Sequence, residues 1–442
     1  MRIAPAPFLV VLMLCASACG GDGDRGNSDG GDNPTPVKAR SVEVWSIDVT
    51  IGAPYVPALA VGRTLDLSAA ALDSTPTEIP GSASEIRWST SDPTLAAITH
   101  TSGRSTQVTA LAPGQVTVTA TFNGTRREVP LVVAKGYTLT EFSSPRPWER
   151  MRVTNLNEHG HVVGSLDGHP FTGSAFLWKD GAVIELGIPE SVAWDVNDNG
   201  QVVGSFNSKP NTIPNLIHPF SWQDGQMTDL APGLEEHTHA VALNNQGEVA
   251  GYTNALWMTG GEPARAVLWR NGQLSEPGTF TGRAAYALDI NPQGDVVGFY
   301  TPASGIDVPF LLHEGQLSSL SVKMGSGQAV AVSEEGTIVG NNEDGAFVWK
   351  AGTMTYLPPN FDLAMRVSDV NRHGQVVGHA EARADRPLSP PRAFLWMDGT
   401  AMELSGLVVQ RGATLRYARA INDRGQIAVE TERGGALLTP VP

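Results

Sequence analysis

Two stretches of the chain carry residue types at spacings that could hold a metal ion. In DVNDNG (195–200), oxygen-bearing side chains occupy the first, third and fifth positions and Gly the sixth, as at the start of a calcium loop. Such a loop needs a bidentate Glu at its twelfth position, where Phe206 stands, and the sister copies have Gln293 and His373 at the fifth. An Asx turn, in which Asn197 accepts bonds from the backbone that follows it, uses the same residues without an ion. In EEHTHAV (235–241), His237 and His239 fall on one face of a strand beside Glu235 and Glu236, a partial zinc set for which no third ligand can be named. No metal and no cofactor is assigned.

Signatures of catalysis are missing as well. GxSxG, HExxH, GxxxxGK[ST] and GxGxxG do not occur in their structural contexts, and the two cysteines, Cys15 and Cys19, both lie near the N-terminus. Paired carboxylates for glycoside hydrolysis leave no sequence mark, because the roughly 5 to 9 Å between them is set by the fold. The net charge of −15, from 45 acidic and 30 basic residues without a basic block, argues against nucleic acid, whose binding depends on clustered Lys and Arg. Any function must then come from a surface that binds, which turns attention to the elements that would present it.

Residues 137 to 442 repeat a two-part pattern. LNEHGHVVG (156–164), VNDNGQVVG (196–204), LNNQGEVAG (243–251), INPQGDVVG (290–298), VSEEGTIVG (332–340), VNRHGQVVG (370–378) and INDRGQIAV (421–429) form the first part. The second is AFLWKDGAVIEL (175–186), PFSWQDGQMTDL (219–230), AVLWRNGQLSEP (266–277), PFLLHEGQLSSL (309–320), AFVWKAGTMTYL (346–357) and AFLWMDGTAMEL (393–404), begun once more as ALLTPVP (436–442). The turn glycines recur at intervals between 38 (Gly336 to Gly374) and 51 (Gly374 to Gly425), a period of stacked units that cannot bury their faces alone.

Each unit parses as four strands: a ends at the Asn, b is QVVG-like, c is AFLW-like, and d follows a turn ending in Gly, as at Gly181. Four-stranded antiparallel units at this spacing are propeller blades. The last unit lacks a strand d, and YTLTEFS (137–143) supplies one from the other end in the register of MTYLPPN (354–360). The fold class is therefore all-β, with a seven-bladed propeller whose N-terminal strand closes the last blade and leaves no open edge. The repeated Trp178, Trp222, Trp269, Trp349 and Trp396, fixed in strand c, are expected to pack between blades. The repeats resemble the HAF family of bacterial extracellular repeats, whose core reads roughly AxxINxxGxVVG and then HAFLWxxGxMxDLG. The His of that pattern survives only as His218; the other copies carry Ser174, Arg265, Val308, Gly345 and Arg392. The resemblance brings no established reaction with it.

Residues 41 to 134 alternate differently. TLDLSAAAL (64–72), VTVTATF (116–122) and REVPLVV (127–133) are bounded by Gly, Pro or Asn, as strands of a β-sandwich are. LAVGRTLDLSA (59–69), IRWSTSDPTLAAI (86–98) and TALAPGQVTVTATFNG (109–124) resemble the bacterial Ig-like group 2 domain, with Trp88 between the sheets, Asp92-Pro93 a turn and Asn123-Gly124 a hairpin turn. The resemblance implies a spacer, with adhesion as the alternative.

The N-terminus reads as an export signal over 1–18: Arg2, an apolar run from Phe8 to Leu14 too short to span a bilayer, then Ala16-Ser17-Ala18. Ala16-Ser17-Ala18-Cys19 resembles a bacterial lipobox, which implies lipidation at Cys19. Residues 19–40, rich in Gly, Asp and Asn, make a flexible tether; Gly20 after the lipidated residue implies the outer membrane, and plain secretion is the alternative.

In a propeller the a–b and c–d turns share one face and the b–c and d–a connections the other. The first set is short and uniform here, the second variable, so the second is the expected binding face. Its candidate residues are Trp148, Tyr252, Trp257, Tyr300 and Phe361, with His237 and His239 nearby. The expected function is non-catalytic binding or adhesion by a monomeric envelope protein, to polysaccharide or to a surface protein, with the lipid anchor the only membrane contact. Alternatives are an envelope assembly scaffold and a carbohydrate-active hydrolase or lyase.

Overall fold

The computed structural model describes residues 39–46, 56–146, 149–166, 173–210, 215–254, 263–277, 282, 284–320, 325–343, 345–357, 363–382, 390–410, 412–432 and 434–442. Cys19, Trp148, Trp257 and Phe361 lie outside them, as do the signal segment and most of the tether. Among the described residues no helix is long and apolar enough to cross a membrane.

The first sandwich sheet runs Ser41–Trp45, Thr64–Leu72, Ser105–Ala110, Ala96–Ile98, and the second Ala58–Ala60, Thr125–Ala134, Gly114–Phe122, Arg87–Thr90. Trp88 is buried between them and donates its indole N–H to the Gly103 carbonyl at 2.8 Å. Asp92 caps its turn by accepting from the Thr94 N–H at 2.8 Å, and Asn123-Gly124, both at positive φ, makes the tight hairpin before Thr125.

Seven four-stranded blades follow. Blade 1 is Met151–Leu156, Val162–Leu166, Ser174–Lys179 and Ala182–Pro189. Strand a of blades 2 to 7 is Ser191–Val196, His237–Leu243, Ala284–Ile290, Gly327–Val332, Leu363–Val370 and Leu415–Ile421. Blade 7 completes itself with the strand Tyr137–Phe142, which pairs antiparallel with Gly435–Pro440 from Tyr137 opposite Pro440 to Phe142 opposite Gly435. The ring is thus fastened by its two ends, as the missing strand d required.

Close packing explains the second glycine of the motif. A Cβ on Gly164, Gly204, Gly251, Gly298, Gly340 or Gly378 would lie 1.9 to 2.3 Å from a strand-a carbonyl oxygen. In five of these blades a fully buried Phe (176, 220, 310, 347 or 394) pairs with that Gly across strands b and c, each ring contributing roughly 1.5–3 kcal/mol by burial. Blade 7 inverts the pair. Val429 stands where the Gly would be and Ala436 where the Phe would be, while strand a shifts register twice to make room. Volume lost at one position is regained at its cross-strand neighbour.

The motif Asn does two jobs. Its carbonyl oxygen accepts two local N–H groups, as Asn157 does from His159 and His161 at 3.0 and 2.9 Å. Its amide donates to the next blade: Asn157 to the Asn197 carbonyl, Asn197 to Asn244, Asn244 to Asn291, Asn291 to Ser333, Asn371 to Asn422 and Asn422 back to Asn157, all at 2.9–3.2 Å. DVNDNG is accordingly an Asx turn whose Asn197 belongs to this belt. Only Ser333 cannot donate an amide. Its hydroxyl serves the local Thr337 N–H, and blade 5 reaches blade 6 elsewhere, through Asn341, which bonds both the N–H and the C=O of Val367 at 2.9 and 3.0 Å.

Two residues, Lys135 and Gly136, separate sandwich from propeller, and the joint is built. Ala58 shares a core with Tyr137, Leu404, Leu407 and Val408; the Val56 N–H bonds Ala401 O at 3.0 Å and Arg63 bonds Gln410 O at 2.8 Å. Pro440, the partner of Tyr137, lies against the a–b turn glycine Gly425. The sandwich therefore joins at the short-turn face, and none of these contacts reaches the b–c and d–a face.

Candidate binding site on the propeller axis

Every strand a skips a residue against strand b at the same place in the repeat, two residues before the strand's last residue, and blade 7 skips a second one at Arg416. A bulge re-aims the side chain it carries. The seven bulged residues are Thr154, Trp194, Val241, Leu288, Val330, Ser368 and Arg419, and all of them line one cavity of about 370 Å³ on the axis. Arg152 and Tyr252 border it nearer the b–c and d–a face, and Asp289 and Asp369 nearer the Asn belt. A volume in the range of about 300–1,000 Å³ is that of small-molecule sites.

Acids sit in alternate blades one residue beyond the bulge. Asp195, Asp289 and Asp369 each accept the N–H of the residue that follows and an N–H of the next blade: Leu243, Val332 and Ile421, at 2.7–2.8 Å. Asn155 takes the same place in blade 1 and donates to Asp195 at 2.7 Å. Burial, joined by the charge of Asp289, pushes Asp195 up to about 7; burial pushes Asp289 up to about 6 and raises Asp369 well above the usual carboxylate range. The backbone bonds oppose the rise without cancelling it.

Cation and aromatic groups occupy neighbouring blades. Arg419 is clamped by Glu430 at 3.0 and 3.2 Å, and its guanidinium lies 4.5 Å from the Tyr417 ring centroid. Arg152, half-buried beside it, makes no hydrogen bond or ion pair among the described residues, and burial together with the Arg419 charge lowers its pKa. Trp194 donates to Ser205 Oγ at 3.2 Å, and that hydroxyl meets His239 Nδ1 at 3.2 Å. Burial lowers His239 to about 4, so its ring is neutral. His239 packs against Tyr252 with centroids 4.8 Å apart, and Tyr252, Tyr286 and Phe299 continue the ladder at 5.0 and 4.7 Å. Burial pushes the Tyr252 phenol up to about 12, and it has no hydrogen-bond partner among the described residues.

The sequence-named residues distribute unevenly over this arrangement. Tyr252 borders the cavity and His239 supports it from behind. His237 accepts the Ile217 N–H at 3.1 Å and is not among the residues lining the cavity. Tyr252 and Tyr300 lie in strands, Val249–Asn254 and Val296–Thr301, because strand b runs on past its Gly, where variable loops were expected. Tyr300 packs on the core between blades 3 and 4 with its hydroxyl 3.0 Å from Ser319 Oγ. Trp178, Trp222 and Trp269 are buried in interblade cores. Among the described residues no group of three or more His, Cys, Asp or Glu is placed to hold a metal ion. Arg152, Trp194 and Arg419 were not singled out from sequence. For Trp194 and Arg419 the signal is a position at which no two neighbouring copies of an otherwise regular strand agree.

Seven blades closed by a strand from the N-terminal side, behind an Ig-like sandwich, put the chain in the class of all-β propeller proteins. Residues 34–133 match the bacterial Ig-like domain (group 2) family. No curated protein matches the chain. Among solved structures, the chain is similar to the β-propeller domain of the trilobed protease of Pyrococcus furiosus, with an open velcro topology (10% identity, TM-score 0.38, covering 79% of this chain and 97% of that one). It is also similar to a quinoprotein alcohol dehydrogenase-like protein of Bacteroides thetaiotaomicron (9%, 0.38, 83% and 96%). A third is a puromycin-hydrolysing peptidase of Mycobacterium tuberculosis (13%, 0.39, 85% and 57%).

Proposed function

We propose that the protein is a non-catalytic recognition module of the bacterial cell surface that binds polysaccharide at the loop-bearing end of its propeller axis. The observation that carries this reading is the axial cavity, to which all seven blades contribute a bulged side chain and in which Trp194 and Tyr252 offer aromatic surface to a sugar. The Ig-like domain supports an extracellular setting, and the described contacts attach it at the opposite face. A lipid on Cys19 would hold the chain at the outer membrane, with residues 20–36 as tether. Cys19→Ser should abolish acyl-chain labelling of the protein; labelling that persists would remove the anchor from this account.

The test of recognition is a broad array of glycans and bacterial polysaccharides probed with the full chain in detergent. Saturable binding that Trp194→Ala weakens at least tenfold supports the reading, and silence across neutral and acidic glycans alike would overturn it. A hydrolase or lyase is the second reading. It is favoured by Asp289 and Asp369, cavity-lining acids raised toward the range a general acid needs; release of reducing or unsaturated ends, lost in Asp369→Asn, would establish it.

A further inference from the structure

We propose that the ligand of the axial cavity is an acidic saccharide, a chain of uronate sugars, with a carboxylate seated between Arg152 and Arg419 and a sugar ring against Trp194 and Tyr252. The proposal rests on the polysaccharide reading above and adds its chemical class.

Charge balance on blades 1 and 7 is the first ground. Two guanidinium groups share one carboxylate. Glu430 is committed to both nitrogens of its Arg419 clamp and also accepts the Val153 N–H at 3.3 Å. One positive charge is left over, and it resides on the half-buried Arg152, which has no acceptor among the described residues. An unpaired cation partly withdrawn from water is costly to keep, and a planar carboxylate matches the guanidinium fork. Arg419 is held in place by Glu430 and Tyr417, so the second fork is preorganised.

The remaining walls suit a sugar better than a simple anion. Trp194, fixed by Ser205, and Tyr252, fixed by His239, stand on blades 2 and 3, next to the arginine of blade 1. The free Tyr252 hydroxyl is available to a ligand hydroxyl. On the Asn-belt side, Asp289 and Asp369 face the cavity, and any charge they carry repels a ligand carboxylate from that side and directs it toward the arginines. A uronate carries a carboxylate at one edge and hydroxyls at the other, which matches this division.

The experiment is titration calorimetry of the full chain in detergent with trigalacturonate and trimannuronate, against galactotriose and mannotriose. The expected result is saturable binding of at least one uronate at least tenfold tighter than its neutral counterpart. Arg152→Ala should abolish that preference by weakening the uronate at least tenfold more than its neutral counterpart, and Arg152→Lys should restore part of it; melting curves confirm that each variant folds. Equal affinity for acidic and neutral trisaccharides, or an Arg152→Ala effect equal on both, overturns the acidic class and leaves saccharide recognition standing. Absence of binding by all four probes, with neutral polysaccharides positive on the array, also overturns it; silence on the array as well brings down the parent reading.

Discussion

At one end of the axis the same residue stands in six of seven blades, and each copy bonds to the next. At the other end, the bulged positions run Thr, Trp, Val, Leu, Val, Ser, Arg, and no two neighbouring blades agree. The belt satisfies backbone groups, which are identical in every blade, so one side chain solves the problem repeatedly. Each bulge is a position at which strand a skips its partner in strand b, so no repeated cross-strand pairing fixes its residue type and it is free to differ. Uniformity marks closure, and variation on a rigid frame marks a surface that can recognise something.

Perturbing closure should cost more than perturbing the cavity. Replacing residues 137–143 with a Gly/Ser linker of equal length removes the strand that fastens blade 7 and should lower the melting midpoint by more than about 5 °C; an unchanged melt would mean that the belt alone closes the ring. Gly298→Ala places a methyl group 1.9 Å from the Tyr286 carbonyl and should destabilise by about 3 kcal/mol, measured by denaturant unfolding.

The acids predict a pH dependence with a definite sign. Asp195 and Asp289 titrate near 7 and 6 in the folded chain, above the usual value of 3.8. The folded state therefore holds their protons more tightly than the unfolded one. Their contribution is fully present below about pH 4 and is lost as pH rises through 6 to 7, at up to about 1.4 kcal/mol per pH unit for each acid. Melting followed from pH 5 to pH 8 should show a decline attributable to these groups, flattened in Asp195→Asn. The smallest effect is a gain. Ser333→Asn supplies the missing amide of the belt and should stabilise by about 0.5–1 kcal/mol in the same unfolding assay.

Much of the closure was legible in the sequence. The Gly intervals counted the blades, the lack of a strand d after ALLTPVP pointed to Tyr137–Phe142, and the Asn and Gly types specified the turns. Half of the Asn role was hidden, because its amide bonds a residue 40 to 51 positions away, or 265 for Asn422, and only a closed ring brings them together. The exchange of Gly and Phe for Val429 and Ala436 is readable as one compensated change only through the cross-strand register that pairs the two positions. The cavity was least legible. A search for repeated residues passes over a position at which no two neighbouring blades agree, and aromatic residues after strand b looked like loop residues although Tyr252 and Tyr300 continue the strand.

The most direct test of the division between the two ends is hydrogen–deuterium exchange of the full chain with and without saturating trigalacturonate. The account predicts slowed exchange around Arg152–Thr154, Trp194, Tyr252 and Arg419, with the belt turns 157–161, 244–248 and 371–375 unchanged. Protection confined to the sandwich or to the belt turns would contradict it.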